Sequence, residues 1–128
     1  MTNDRRTLVF LTRSDGTAVR LAGSCALAAA AMGDRVDVFL LGEAVRAVVE
    51  PTGEPAGERG AEPTGGPDEP AAALFQARQA GTCRIFACSQ GVVESGLDPA
   101  AAQAVLDAVV GWPTILEWTR GVADRFFF

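Results

Sequence analysis

The sequence predicts an α/β protein built on a mainly parallel, five-stranded sheet flanked by helices. Three observations carry that prediction. Short apolar runs recur along the chain, RTLVFLT, RVDVFLL, CRIFAC, a brief VV and the closing RFFF. The longer of these are almost continuously hydrophobic, as strands covered on both faces are. Between them lie alanine-rich or capped stretches of helical character, and such β/α alternation places strands side by side and parallel.

The first strand is expected over Arg6–Thr12. The following SDG offers Ser14 or Asp15 as a helix cap, and Thr17–Met32 then sets Leu21, Cys25, Ala28 and Met32 at helical spacing as the apolar stripe. Gly33 supplies a helix stop. A second strand follows over Arg35–Leu41, with a short helix over Glu43–Val49 that Pro51 ends.

The tract Glu50–Pro70 holds five of the seven prolines and almost no large apolar residue, so it reads as an exposed, flexible acidic insertion in a single domain spanning 1–128. A helix resumes over Ala71–Ala80, Cys83–Cys88 is a third strand, and Val92–Gly96 a short helix closed by its glycine. Asp98 and Pro99 cap and open a helix to about Asp107, and Val109–Val110 forms a brief fourth strand. Pro113 starts a last helix with Trp112, Ile115, Leu116 and Thr119 along one face, and Arg125–Phe128 is the fifth strand.

Composition narrows the chemistry. The chain has no histidine, which removes imidazole metal ligands, Ser-His and Cys-His dyads and histidine bases. Six of the sixteen acids and one of the eleven arginines lie in the Glu50–Pro70 tract, leaving ten acids and ten arginines in the body. A neutral body without lysine lacks the basic footprint of a nucleic-acid or anionic-membrane binder. No apolar run reaches the roughly 18 residues of a membrane span, and the opening MTNDRRTLVFLT is too short in its apolar core for a secretory signal. A soluble, cytoplasmic protein is expected, with its three cysteines reduced.

Those cysteines are Cys25, Cys83 and Cys88. Four residues separate Cys83 from Cys88, where a CxxC redox pair has two. Five strand steps hold the two sulfurs about 16 Å apart and on opposite faces, too far for a disulfide. Zinc lacks convergent ligands, so no metal site is expected. A phosphatase-type cysteine loop needs an arginine six positions on, where Glu94 stands, and CSQGVV lacks the basic or glycine-rich character of a rhodanese loop.

Position singles out Cys88. It ends a predicted parallel strand just before a turn and helix, where open α/β sheets place their ligands and helix amides favour a thiolate. From position alone it reads equally as a working thiol or as a small buried hydrophobe. Cys83 at the strand's other end and Cys25 on a helix read as core. Ser14 and Asp15 follow the first strand and either line a pocket at the same sheet edge or cap the helix.

Three segments together resemble the DsrE/DsrF-like family of small sulfur-relay and sulfurtransferase proteins, to which the TusD type also belongs. They are TLVFLTRSDGTAVRLAGSCALAAAAMGDRVDVFLLGEAV, IFACSQGVVESGL and GWPTILEWTRGVADRFFF. The resemblance covers nearly the whole chain outside the Glu50–Pro70 tract. It implies a three-layer α/β/α fold with flavodoxin-like layering, homo-oligomers that are often trimers or hexamers, and a sulfur-carrying cysteine that maps onto Cys88.

The expectation is therefore a carrier that takes sulfur as Cys88 persulfide from a donor protein and yields it to an acceptor protein, with Ser89 and Gln90 supplying hydrogen bonds and no cofactor required. The alternative is a non-catalytic oligomeric binding module of the same fold in which Cys88 is structural.

Overall fold

The computed structural model describes residues 5–51, 69–121 and 124–128. Five strands, β1 (Arg6–Leu11), β2 (Arg35–Leu40), β3 (Cys83–Cys88), β4 (Ala108–Val110) and β5 (Asp124–Phe127), form one parallel sheet in the order β4-β3-β2-β1-β5. The helices are α1 (Gly16–Ala31), α2 (Ala44–Val49), α3 (Ala72–Gln79), α4 (Ser89–Glu94), α5 (Pro99–Val105) and α6 (Trp112–Trp118). Most of the Glu50–Pro70 tract, from 52 to 68, lies outside the described residues. Among the described residues no helix is long and apolar enough to cross a membrane.

Alternation along the strands divides the interior in two. Val9 and Leu11, Val36, Val38 and Leu40, and Cys83, Ile85 and Ala87 face a core shared with α1 to α5. Leu8 and Phe10, Phe39, and Phe86 and Cys88 face the opposite side, where Ile115 of α6 joins them. The chain runs from β1 out to β4 with its helices on the first side. The link through α6 then returns it across the sheet to β5, beside β1.

The second face is organised around one row of aromatic rings. Phe127, Phe10, Phe39 and Phe86 are register partners on β5, β1, β2 and β3, with successive centroids 4.9, 5.4 and 5.6 Å apart. Trp118 of α6 lies 4.9 Å from Phe86 and 6.3 Å from Phe39 by the same measure. α6 thus covers the middle of the row. Its far end is open, and Phe127 is exposed.

Two helices present other faces than the spacing indicates. In α1 the buried set is Ala18, Val19, Ala22, Gly23, Ala26, Ala29 and Ala30, whereas Leu21 and Met32 are exposed and Cys25 only half-buried. The reason is distance: small side chains let α1 lie close against α3, and the larger residues are turned outward. In α6, Ile115 is fully buried and Trp118 leans inward, but Trp112 and Leu116 are exposed.

The closeness of α1 and α3 is sharpest at Gly23, where an added Cβ would stand 2.8 Å from Ala73 Cβ and 3.0 Å from the Leu74 backbone nitrogen. In an open helix, Gly→Ala stabilises by about 1 kcal/mol. Here the overlap outweighs that gain, and Gly23→Ala is expected to lower unfolding stability by about 1–3 kcal/mol in urea titrations. A gain in stability would show that α1 and α3 part at little cost.

Candidate functional site

Cys88 is the last residue of β3 and the N-cap of α4, with extended backbone at φ −71° and ψ 129°. It belongs to the buried cluster of Leu8, Phe10, Phe39, Phe86 and Ile115, with the partly buried Leu41 and Val110 against it, and the residue is 3% exposed. Val110, its register partner on β4, is followed by Gly111 and the start of α6. The thiol therefore lies at the carboxyl edge of the sheet, on the face that Ile115 of α6 joins.

The other two sulfurs have different surroundings. Cys83 faces the opposite core and is also buried, as an odd separation along a strand requires. Burial, and then the negative charges of Asp37 and Asp107, push its thiol up to about 12, against a smaller opposing effect of Arg78. Burial on α1 likewise raises the Cys25 thiol.

Because the thiolate is the reacting species, Cys83 should hardly alkylate in the native protein at pH 8, where about one thiol in ten thousand is ionised. Iodoacetamide trapping with and without denaturant checks this. Denaturation is expected to restore ordinary reactivity, and equal rates in both states would contradict it.

The supporting residues separate into two groups. Asp15 caps α1, its carboxylate accepting from the Ala18 N–H at 3.0 Å and pairing with Arg13 at 2.9 Å. Ser14 lines a cavity of about 480 Å³ with Val19, Glu43, Arg46 and Ser95, on the side of the sheet that α1 and α2 cover. Arg46 donates to the Ser95 carbonyl and, at 3.3 Å, to Glu50. Cys88 is not among the residues lining this cavity, because its side chain leaves the strand on the other face.

Ser89 and Gln90 remain with Cys88, as the first two residues of α4, and both are exposed. Gln90 Nε2 donates to Glu94 Oε1 at 3.0 Å. Ser89 Oγ stands 3.7 Å from where a Cβ on Gly111 would lie, so it flanks the segment entering α6.

The sheet holds a further polar cluster on the Cys88 face, at its amino-terminal edge. Asp37, buried within β2, accepts from Arg6 at 2.9 Å and from Arg84 at 3.1 and 3.4 Å. Arg84 also stacks over Phe86 and Trp118, 5.1 and 5.5 Å from the ring centroids. Sequence reasoning missed this cluster. Its signal was charge carried by each of three apolar runs, Arg6 in RTLVFL, Arg35 and Asp37 in RVDVFL and Arg84 in CRIFAC. Among the described residues, no three side chains of the histidine, cysteine, aspartate or glutamate type stand where they could share a metal ion.

Residues 5–127 match the model of the DsrE/DsrF-like family. The fold is similar to that of a conserved protein of unknown function, BT1422, from Bacteroides thetaiotaomicron. The TM-score is 0.67 at 13% sequence identity, over 96% of this chain and 94% of that one. No curated protein matches the sequence.

Proposed function

This chain belongs to the DsrE/DsrF-like family, and from that premise we propose that it is a small sulfur carrier or sulfurtransferase subunit passing persulfide sulfur through Cys88 to a protein partner. The family is generally linked to sulfur relay. The observation that carries the reading is the placement of Cys88: it alone of the three cysteines ends a strand at the carboxyl edge of the sheet, beside the exposed Ser89 and Gln90.

In the first step the Cys88 thiolate attacks the outer sulfur of a donor persulfide. A new S–S bond forms, the donor's S–S bond breaks, and the donor leaves as a thiolate. The acceptor thiolate repeats the exchange on Cys88-SSH and frees the Cys88 thiolate. One neutral sulfur atom moves, with no net oxidation and no acid or base beyond the thiols themselves.

Burial sets a condition on this chemistry, since the thiol of a residue only 3% exposed must be uncovered before another sulfur can reach it. The uncovering element in this reading is the Gly111 segment with the seven-residue α6, which rests on the sheet through Ile115 and Trp118. The exposed Trp112, Leu116, Phe126 and Phe127 support assembly into a homo-oligomer, the trimer or hexamer implied by the family resemblance.

The same burial is the observation that favours a second reading, a non-catalytic oligomeric binding module in which Cys88 only fills the core. Incubation of the native protein with a persulfide donor, followed by peptide mass mapping, separates the two. Extra sulfur on the Cys88 peptide supports the carrier. An unmodified Cys88 peptide supports the module.

A further inference from the structure

Around the buried Asp37 the sheet gathers more positive charge than the fold consumes. Arg6, Arg35, Arg84, Asp37, Gly81, Thr82 and Trp118 line a cavity of about 380 Å³ at the amino-terminal edge of β1, β2 and β3. Three guanidinium groups face one carboxylate there. Asp37 engages Arg6 and Arg84, while the Arg35 guanidinium has no hydrogen-bond or ion-pair partner among the described residues. Arg125, nearby on β5, is directed elsewhere and donates to the Thr119 carbonyl at 2.8 Å.

The placement of Arg35 is unfavourable without a further anion. It is the direct register partner of Arg6 across β1 and β2, and like charges opposite one another weaken a sheet. Arg84 is held by two bonds to Asp37 and by its stacking on two rings, so its remaining N–H groups are fixed in direction before any ligand arrives. Preorganised guanidinium forks beside an uncompensated third are suited to a multivalent oxyanion.

We propose that this cavity binds a phosphate- or sulfate-type oxyanion, gripped by Arg35 together with the outward N–H groups of Arg6 and Arg84. The local surplus of two positive charges attracts such an anion although the whole chain carries a net −5. The cavity admits the anion and a small substituent. It lies about 13 Å, four strand steps, from Cys88, so the site stands whether or not Cys88 carries sulfur.

The test is calorimetric titration of the full chain with inorganic sulfate, inorganic phosphate and phenyl phosphate at constant ionic strength, with chloride as the reference. Tryptophan emission is followed in parallel because Trp118 forms one wall. Saturable binding of one oxyanion per chain is expected, weakened about 10- to 100-fold by Arg35→Ala. Arg35 is exposed, has no partner among the described residues and stands opposite Arg6, so this variant should not lose melting temperature.

Tighter binding of phenyl phosphate assigns the site to a phosphate group on a larger ligand. Equal binding assigns it to the free anion. No saturable response beyond that to chloride, or an unchanged affinity in a folded Arg35→Ala protein, overturns the proposal.

Discussion

Treated with a persulfide donor and weighed intact, the wild-type chain is expected to gain one sulfur atom that Cys88→Ser does not carry. Serine is close to cysteine in size and leaves the packing of the cluster it shares with Phe39, Phe86 and Ile115 in place, but removes the sulfur nucleophile. Cys83→Ala should load like the wild type, because a thiol pushed up to about 12 and buried on the other face takes no part.

The kinetics carry further information. If the α6 segment uncovers Cys88, Ile115→Ala removes its fully buried anchor and should speed loading without raising the final yield above one sulfur. A Cys88→Ser chain that loads as well as the wild type would sink the carrier reading. So would a failure of both the wild-type chain and the Ile115→Ala variant, whose site is opened, to take up sulfur.

Phe39→Ala is expected to cost about 3–5 kcal/mol of unfolding stability, a large share of the roughly 5–15 kcal/mol that a domain of this kind possesses. Phe39 is 0% exposed, and its ring stands between Phe10 and Phe86 under Trp118, so truncation removes the centre of the row and leaves a cavity. Phe127 belongs to the same row but is 70% exposed, and Phe127→Ala should cost less than about 1 kcal/mol.

Urea unfolding of the two variants measures the contrast, and equal losses would mean that the row is not the centre of this face. The change at Phe39 has a second readout. Trp118 loses one of its walls, α6 is held less firmly, and Cys88 should alkylate faster in the surviving native protein.

Much of this architecture was legible residue by residue. The runs RTLVFL, RVDVFL and CRIFAC became β1, β2 and β3, the capping pair Asp98–Pro99 opened α5, and Gly96, at φ 69°, follows the end of α4. The opposite facing of Cys83 and Cys88 followed from the two-residue period of a strand alone. α4 begins at Ser89, three residues earlier than its apolar content indicates, because Cys88 itself serves as the cap position.

The candidate site was legible only in part. Strand ends are readable in the chain, so Cys88, Ser89 and Gln90 were found together. Ser14 follows another strand at the same edge, yet its cavity lies on the α1 and α2 side, and nothing local tells which face a loop residue will serve. In α1 an even run of alanines gives almost no amphipathic contrast, so helical spacing alone selects the larger Leu21 and Met32 as the apolar stripe. The close approach of α3 reversed that choice.

By itself, then, the sequence determined the strand and helix segments, the alternation that makes the sheet parallel, and the end of β3 at which Cys88 stands. These rest on spacing within a few residues. Tertiary structure alone decided that β1 lies between β2 and β5, that α6 covers the Cys88 face, and that Arg6, Asp37 and Arg84 meet on neighbouring strands. Those outcomes depend on which distant segments pack together, and no local period encodes the partner of a strand.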